Sequence, residues 1–124
     1  MPFFSRLSDE HLVALVKAFK QATFKKGEYV FRQGEEGDAF FVITGGEAAI
    51  MRSQGGGGPP FRIATLGTWQ CFGEHALLTN AGRNAGACAI SDEDLECLAM
   101  TRSTFEHALG VRMKDYFTPR TYDE

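Results

Sequence analysis

From Thr23 to Met100 the chain is a succession of short apolar and aromatic runs, most of them cut off by glycine. Tyr29-Val30-Phe31 stops before Gly34, Ala39 to Thr44 lies between Gly37-Asp38 and Gly45-Gly46, and Phe61 to Leu66 ends at Gly67. Runs of this size fit strands better than globular helices, and the glycines between them supply the backbone freedom of tight turns. Ala48, Ile50 and Met51 follow Gly45-Gly46 after Glu47, which predicts the return strand of a hairpin. Strand after strand with little helix between predicts a mainly β protein, an antiparallel β-barrel or jelly roll.

Helical signals are confined to the flanks. Ser8 is a good N-cap, Asp9 and Glu10 fall in the first turn, and Leu12, Leu15, Val16 and Phe19 recur at helical spacing. The pattern predicts an amphipathic helix over residues 9–20, with His11 on its polar side. After a last strand from Leu95 to Met100, Thr101 or Ser103 caps a second helix carrying Phe105, Ala108 and Leu109, with Gly110 as its stop. Val111 to Phe117 predicts a further helix limited by Pro119. The expected organisation is one domain over 1–124: a helical segment 1–22, a β-roll 23–101 and C-terminal helices 102–124.

Charge and composition exclude several classes of function. The net charge is −3 and no basic run exists, so the electrostatic footprint of a nucleic-acid binder is lacking. No apolar run reaches the ~20 residues needed to cross a bilayer, and no basic-then-apolar signal segment opens the chain. Cys71, Cys88 and Cys97 are odd in number and lack CxxC spacing, which predicts reduced residues of a cytoplasmic protein. Gln54 to Pro60 is rich in glycine and proline and predicts an exposed hairpin loop. It is not a Walker-type loop, because Pro59-Pro60 stands where a Lys-Ser/Thr and a helix are needed.

One stretch carries chemistry. Phe72-Gly73-Glu74-His75-Ala76-Leu77-Leu78 places a glycine at the opening of a short apolar turn of helix, where free backbone N–H groups can face an anion. Glu74 sets a carboxylate at the same mouth, and Arg83 follows nine residues later. A bare phosphate would be repelled by Glu74. A ligand with both an anionic group and a sugar hydroxyl satisfies both, the anion on Arg83 and the hydroxyl on Glu74.

Catalysis finds no support. His75 and His107 have no sequence-local metal partner, and Asp92, Glu93 and Asp94 read as a solvated acidic turn. No nucleophile elbow or metal-spaced cluster occurs. Hydrolysis of a phosphodiester would need several His and Asp metal ligands, and three scattered histidines are too few.

The ordered set Gly27-Glu28, Arg32-Gln33-Gly34, Gly37-Asp38, Phe40-Phe41-Val42-Ile43, Gly46, Phe72-Gly73-Glu74-x-Ala76-Leu77 and Arg83-x-Ala85 resembles the cyclic nucleotide-binding domain over about residues 8–117. Gly27 to Phe41, the Gly-Pro hairpin and the segment Cys97 to His107 most resemble regulatory domains of cGMP-dependent protein kinases. The resemblance implies an eight-stranded antiparallel β-roll with an N-terminal helix, a short internal phosphate-binding helix within a cassette 72–85, and C-terminal helices. It implies a ligand, cGMP or cAMP, and no cofactor or metal. Glu74 would accept from the ribose 2′-hydroxyl and Arg83 would pair with the cyclic phosphate. Backbone groups around Phe72, Gly73, Ala76, Leu77 and Ala85 would complete the cradle.

Two departures bear on the base. Asn84 stands where cGMP-selective members often carry Thr or Ser and cAMP-selective ones Ala, and its amide can both donate and accept. Some cGMP-selective domains carry an arginine on the strand before the cradle. The matching position here is Ala64, next to Ile63, with Arg62 two residues earlier and expected on the same strand face. In the family a C-terminal side chain caps the base, for which Tyr122 and Tyr116 are the candidates, with Phe117 beside them. The resemblance further implies a partner, the catalytic domain of a serine/threonine kinase in the same parent chain, whose inhibition ligand binding relieves. A transcription-factor sensor or a channel gating domain would hold the same ligand on the same residues. The first would add a dimerisation helix and a helix-turn-helix, the second a helical linker, and the sequence read here carries neither.

Overall fold

The computed structural model describes residues 8–54, 58–74 and 82–109. In chain order these form helix α1 (Asp9–Ala18), strands β1 (Lys20–Phe24), β2 (Tyr29–Phe31), β3 (Ala39–Gly45), β4 (Ala48–Arg52), β5 (Phe61–Leu66), β6 (Cys71–Phe72), β7 (Gly86–Ala89) and β8 (Leu95–Thr101), and helix α2 (Arg102–Leu109). The strands divide into two four-stranded sheets, ordered β1-β8-β3-β6 and β2-β7-β4-β5. Every pairing is antiparallel. This is the mainly β roll with flanking helices that the glycine-punctuated runs predict.

Period-2 alternation along β3 builds two apolar layers from consecutive phenylalanines. Phe40 points to one side, where Phe19 meets it edge-on at 5.8 Å between ring centroids and Phe105 of α2 at 6.4 Å. Phe41 points to the other and stacks on Phe72 at 5.2 Å, with Phe31 packed against both. Phe40 thus anchors the helices, and Phe41 belongs to the apolar cluster inside the roll, with Ile43, Ile50, Leu66, Ala85, Ala87 and Leu95. Such aromatic pairs contribute about 0.5–1.5 kcal/mol each beyond the area they bury. At Gly46 (φ 78°) a Cβ would stand 2.6 Å from the Asp94 carbonyl oxygen, so the β3–β4 turn admits no side chain there.

The N-terminal helix is shorter than its apolar spacing predicts. Ser8 caps it as expected, its hydroxyl accepting from the His11 N–H at 3.2 Å. The helix ends at Ala18 because Phe19 turns extended and Lys20–Phe24 is taken up by pairing with β8, Lys20 opposite Ala99. The sheet therefore starts at Lys20 and not at Thr23. Leu15 is the buried residue of α1, whereas Val16 is 71% exposed, so the packed stripe is narrower than expected. His11, expected on the polar side, is half-buried. At the other end, Thr101 is the cap of α2, its hydroxyl accepting from the Thr104 N–H at 3.2 Å. The three cysteines are free, Cys71 and Cys97 buried and Cys88 half-buried. The short helix expected after Glu74 and the segment expected after Gly110 lie outside the described residues.

Candidate functional site

Arg83 is held first by its backbone. Its N–H donates to the Glu35 carbonyl at 2.8 Å, and its own carbonyl accepts from the Gly34 N–H at 2.7 Å. The turn after β2 therefore clamps the residue just ahead of β7 and sends its side chain inward. There Arg83 as a whole is only 8% exposed. Nη1 donates to the Gly73 carbonyl at 3.0 Å, Nη2 donates to the Ala39 carbonyl at 2.8 Å, and one face lies on the Phe31 ring, 4.0 Å from its centroid. Among the described residues Nε has no hydrogen-bond partner although it is buried.

This is an unusual place for a cation. Burial pushes the guanidinium below its ordinary pKa, and the nearby charges of Asp38 and Glu35 act in the opposite direction. The bonds from Nη1 and Nη2 run to neutral carbonyls, which orient the guanidinium without neutralising it. A buried cation with a spare N–H donor is a ready partner for an anion.

The Gly73 carbonyl ties Arg83 to the second element of the site. Gly73 ends β6 at φ 81°, a conformation that favours glycine, and a Cβ there would lie 3.1 Å from both the Ala39 oxygen and Arg83 Nη1. The next residue, Glu74, is 5% exposed. Its Oε2 accepts from the Cys71 thiol at 3.3 Å. The fold therefore gathers a buried cation and a buried carboxylate, nine positions apart in sequence, around one glycine.

Around this pair the remaining expected residues separate. Ala85 is buried in the central cluster, and Ile63 and Ala64 pack against it. Phe72 is fully enclosed and stacked on Phe41, so its side chain is core. Asn84 is half-buried between Arg83 and Ala85. Arg62 is corrected: it does not share a face with Ala64. A β-bulge intervenes, because β4 pairs Ile50 with Ala64 but Met51 with Arg62, leaving Ile63 as the extra residue. Ile63 and Ala64 consequently both meet the core, and Arg62 is exposed, close enough to Cys88 to act on its thiol electrostatically. Ala76, Leu77, Tyr116 and Tyr122, with His75, lie outside the described residues.

Residue-by-residue reading misses part of the site. Phe31 as the platform of Arg83, Ala39 as a carbonyl acceptor and Cys71 as a donor all act through tertiary proximity. Gly37 is a further case, since a Cβ there would lie 3.0 Å from Arg83 Nη2. The Gly37-Asp38 pair before β3 is the only local signal of it. Among the described residues no group of His, Cys, Asp and Glu is spaced to hold a metal ion. No described helix is long and apolar enough to cross a membrane.

A β-roll with flanking helices and a buried arginine beside a Gly-Glu turn is the architecture of a cyclic nucleotide-binding domain. The profile of the cyclic nucleotide-binding domain matches residues 21–110, and the chain belongs to that family. It is 42% identical over 91 residues to a cGMP-dependent protein kinase of Toxoplasma gondii, covering 73% of this chain and 9% of the kinase. It is 33% identical over 105 residues to human cGMP-dependent protein kinase 2, covering 85% of this chain and 14% of that protein. Among solved structures, the regulatory domain of Toxoplasma gondii PKA with cAMP superposes with a TM-score of 0.80 at 27% identity, covering 87% of this chain and 41% of that one. The chain thus spans only a small part of the length of these kinase relatives.

Proposed function

We propose that this chain is a non-catalytic regulatory module that binds a purine cyclic nucleotide, cGMP in preference to cAMP, and thereby relieves inhibition of a serine/threonine kinase catalytic domain in the same cytoplasmic polypeptide. The carrying observation is the buried Arg83, clamped by two carbonyls and stacked on Phe31, with Nε directed at no described acceptor. A singly charged cyclic phosphate supplies the missing acceptor, and Glu74 beside it accepts from the ribose 2′-hydroxyl. Phosphate capture would draw on the Gly73–Glu74 turn, and the helices after Thr101 would move to cover the base. A ligand drives such a shift only by as much as it prefers the closed state.

Preference for cGMP is supported by the similarity to cGMP-dependent kinases and by Asn84, whose amide can serve a guanine edge. A second reading, cAMP as the preferred ligand, is favoured by the β5 bulge. It leaves the apolar Ile63, Ala64 and Leu66 on the inner side and turns Arg62 away. Calorimetric titration of the chain with cGMP and with cAMP tests both. Saturable binding with cGMP the tighter is expected. Tighter cAMP binding would transfer the assignment to the second reading, and no binding of either nucleotide would remove the ligand assignment.

A further inference from the structure

We propose that Cys71 is a positioning residue for the ligand site: its thiol donates to Glu74 and sets the orientation in which that carboxylate meets a ligand hydroxyl. The inference rests on the reading of Glu74 as the ribose partner.

The geometry starts with β6, only two residues long and opposed to Phe41 and Val42 of β3. Alternation sends its two side chains to opposite sides. Phe72 enters the central cluster, and Cys71 stays out of it although only 4% exposed. Gly73, with its positive φ, then ends the strand. Glu74, three residues after Cys71, comes back within reach, and Cys71 Sγ lies 3.3 Å from Glu74 Oε2.

The contact matters because of the torsion it controls. The last torsion of a glutamate is broad and roughly two-fold, so the side chain's own rotamer preference does not fix the plane of the carboxylate. In a buried site hydrogen bonds do. A thiol is a weak donor to a neutral acceptor, but its bond to a carboxylate is charge-assisted. Held at Oε2, the carboxylate keeps one orientation towards the cradle before any ligand arrives, and less ordering is left for the binding step. Serine at this position would preserve the donor. Valine would fill similar space without one.

The test compares 3′,5′-cyclic GMP with its 2′-deoxy analogue, by calorimetry, on wild type, Cys71→Val, Cys71→Ser and Glu74→Ala. Cys71→Val should weaken the ribose ligand about three- to tenfold and leave the deoxy ligand unchanged, the size expected for one hydrogen bond. Cys71→Ser should keep the wild-type preference. Equal weakening of both ligands by Cys71→Val would reduce the thiol to packing and overturn the proposal, as would an undiminished ribose preference. If Cys71→Val does not fold, Cys71→Ala serves as the second thiol-free variant under the same criteria. Glu74→Ala, which leaves no acceptor, separates the two levels. A ribose preference that survives it removes the Glu74 assignment itself. A preference lost in Glu74→Ala but intact in the thiol-free variant removes only the role of Cys71.

Discussion

The guanidinium of Arg83 lies over the Phe31 ring at 4.0 Å from its centroid, while its two terminal nitrogens bond carbonyls on either side, Gly73 and Ala39. The aromatic face and the two carbonyls fix the plane and the rotation of the guanidinium, leaving Nε as a buried nitrogen with no acceptor among the described residues. Arg83 is therefore a structural tie between β2, β3 and β6 as well as the proposed anion contact. That double role decides what its removal does.

Arg83→Ala should reduce affinity for cGMP and cAMP alike by roughly two to four orders of magnitude, the effect of losing a two-bond charge-assisted contact at about 1.5–3 kcal/mol per bond. It should also lower stability, because the buried Gly73 carbonyl and the partly buried Ala39 carbonyl lose their donor, at about 1–3 kcal/mol for the buried one and less for the other. Calorimetry with either nucleotide and a urea titration without ligand measure the two effects separately. Near wild-type affinity would remove Arg83 from the ligand site.

Gly37→Ala probes the same guanidinium from a distance. The new Cβ would stand 3.0 Å from Nη2 and 3.3 Å from Nε, and the backbone there needs no positive φ. The fold should tolerate it, and the guanidinium should shift by a few tenths of an ångström. Affinity for either cyclic nucleotide should fall by about tenfold, equivalent to 1.4 kcal/mol, with the unfolding midpoint nearly unchanged.

Asn84→Ala separates the purines. If the Asn84 amide reads guanine, the substitution weakens cGMP by about three- to tenfold, the value of one hydrogen bond, and leaves cAMP nearly unaffected. Equal losses for the two nucleotides would place selectivity outside Asn84. Arg62 is not the next candidate, because the bulge at Ile63 turns it away from the core side.

Cys97 gives a pH dependence with a definite sign. Burial pushes its thiol up to about 12, from an ordinary value of 9.0. Below pH 9 folded and unfolded chains both hold the proton and stability does not depend on it. Between about 9 and 12 the unfolded chain loses the proton while the folded one keeps it, so stability falls as pH rises. Urea midpoints measured from pH 8 to 11 should decline more steeply for wild type than for Cys97→Ala, in which this contribution is absent.

Trp69 lies in the turn between β5 and β6 at φ 70°, 69% exposed, with its backbone N–H donating to the Ile43 carbonyl at 2.7 Å. A bulky side chain in left-handed backbone costs about 1–2 kcal/mol, and little burial offsets it here. Trp69→Asn, which tolerates this conformation, should raise the thermal midpoint by a few degrees. A lowered midpoint would mean that the indole makes stabilising contacts in solution.

What was legible in the sequence follows local physics. Alternation and glycine punctuation specify strands because each strand needs only its own side-chain period and a turn at its end. Ser8 and Thr101 announce their helices because a cap acts within three residues. The Gly73-Glu74 turn and Arg83 stand out because their chemistry is carried by residue type and short spacing. By itself, then, the sequence determined a mainly β roll with flanking helices and singled out Glu74 and Arg83, which the fold gathers around Gly73.

The tertiary structure decided everything that depends on register and proximity. A one-residue bulge at Ile63 reverses the side on which Arg62 lies, and no local preference announces it. Pairing of Lys20–Phe24 with β8 ended α1 before its apolar spacing did. The platform under Arg83, the carbonyl of Ala39 and the thiol of Cys71 come from separate strands, or from a turn that only Gly73 permits. Hydrogen bonds of about 3 Å are satisfied by position in space, and position in space is set by the pairing of distant strands.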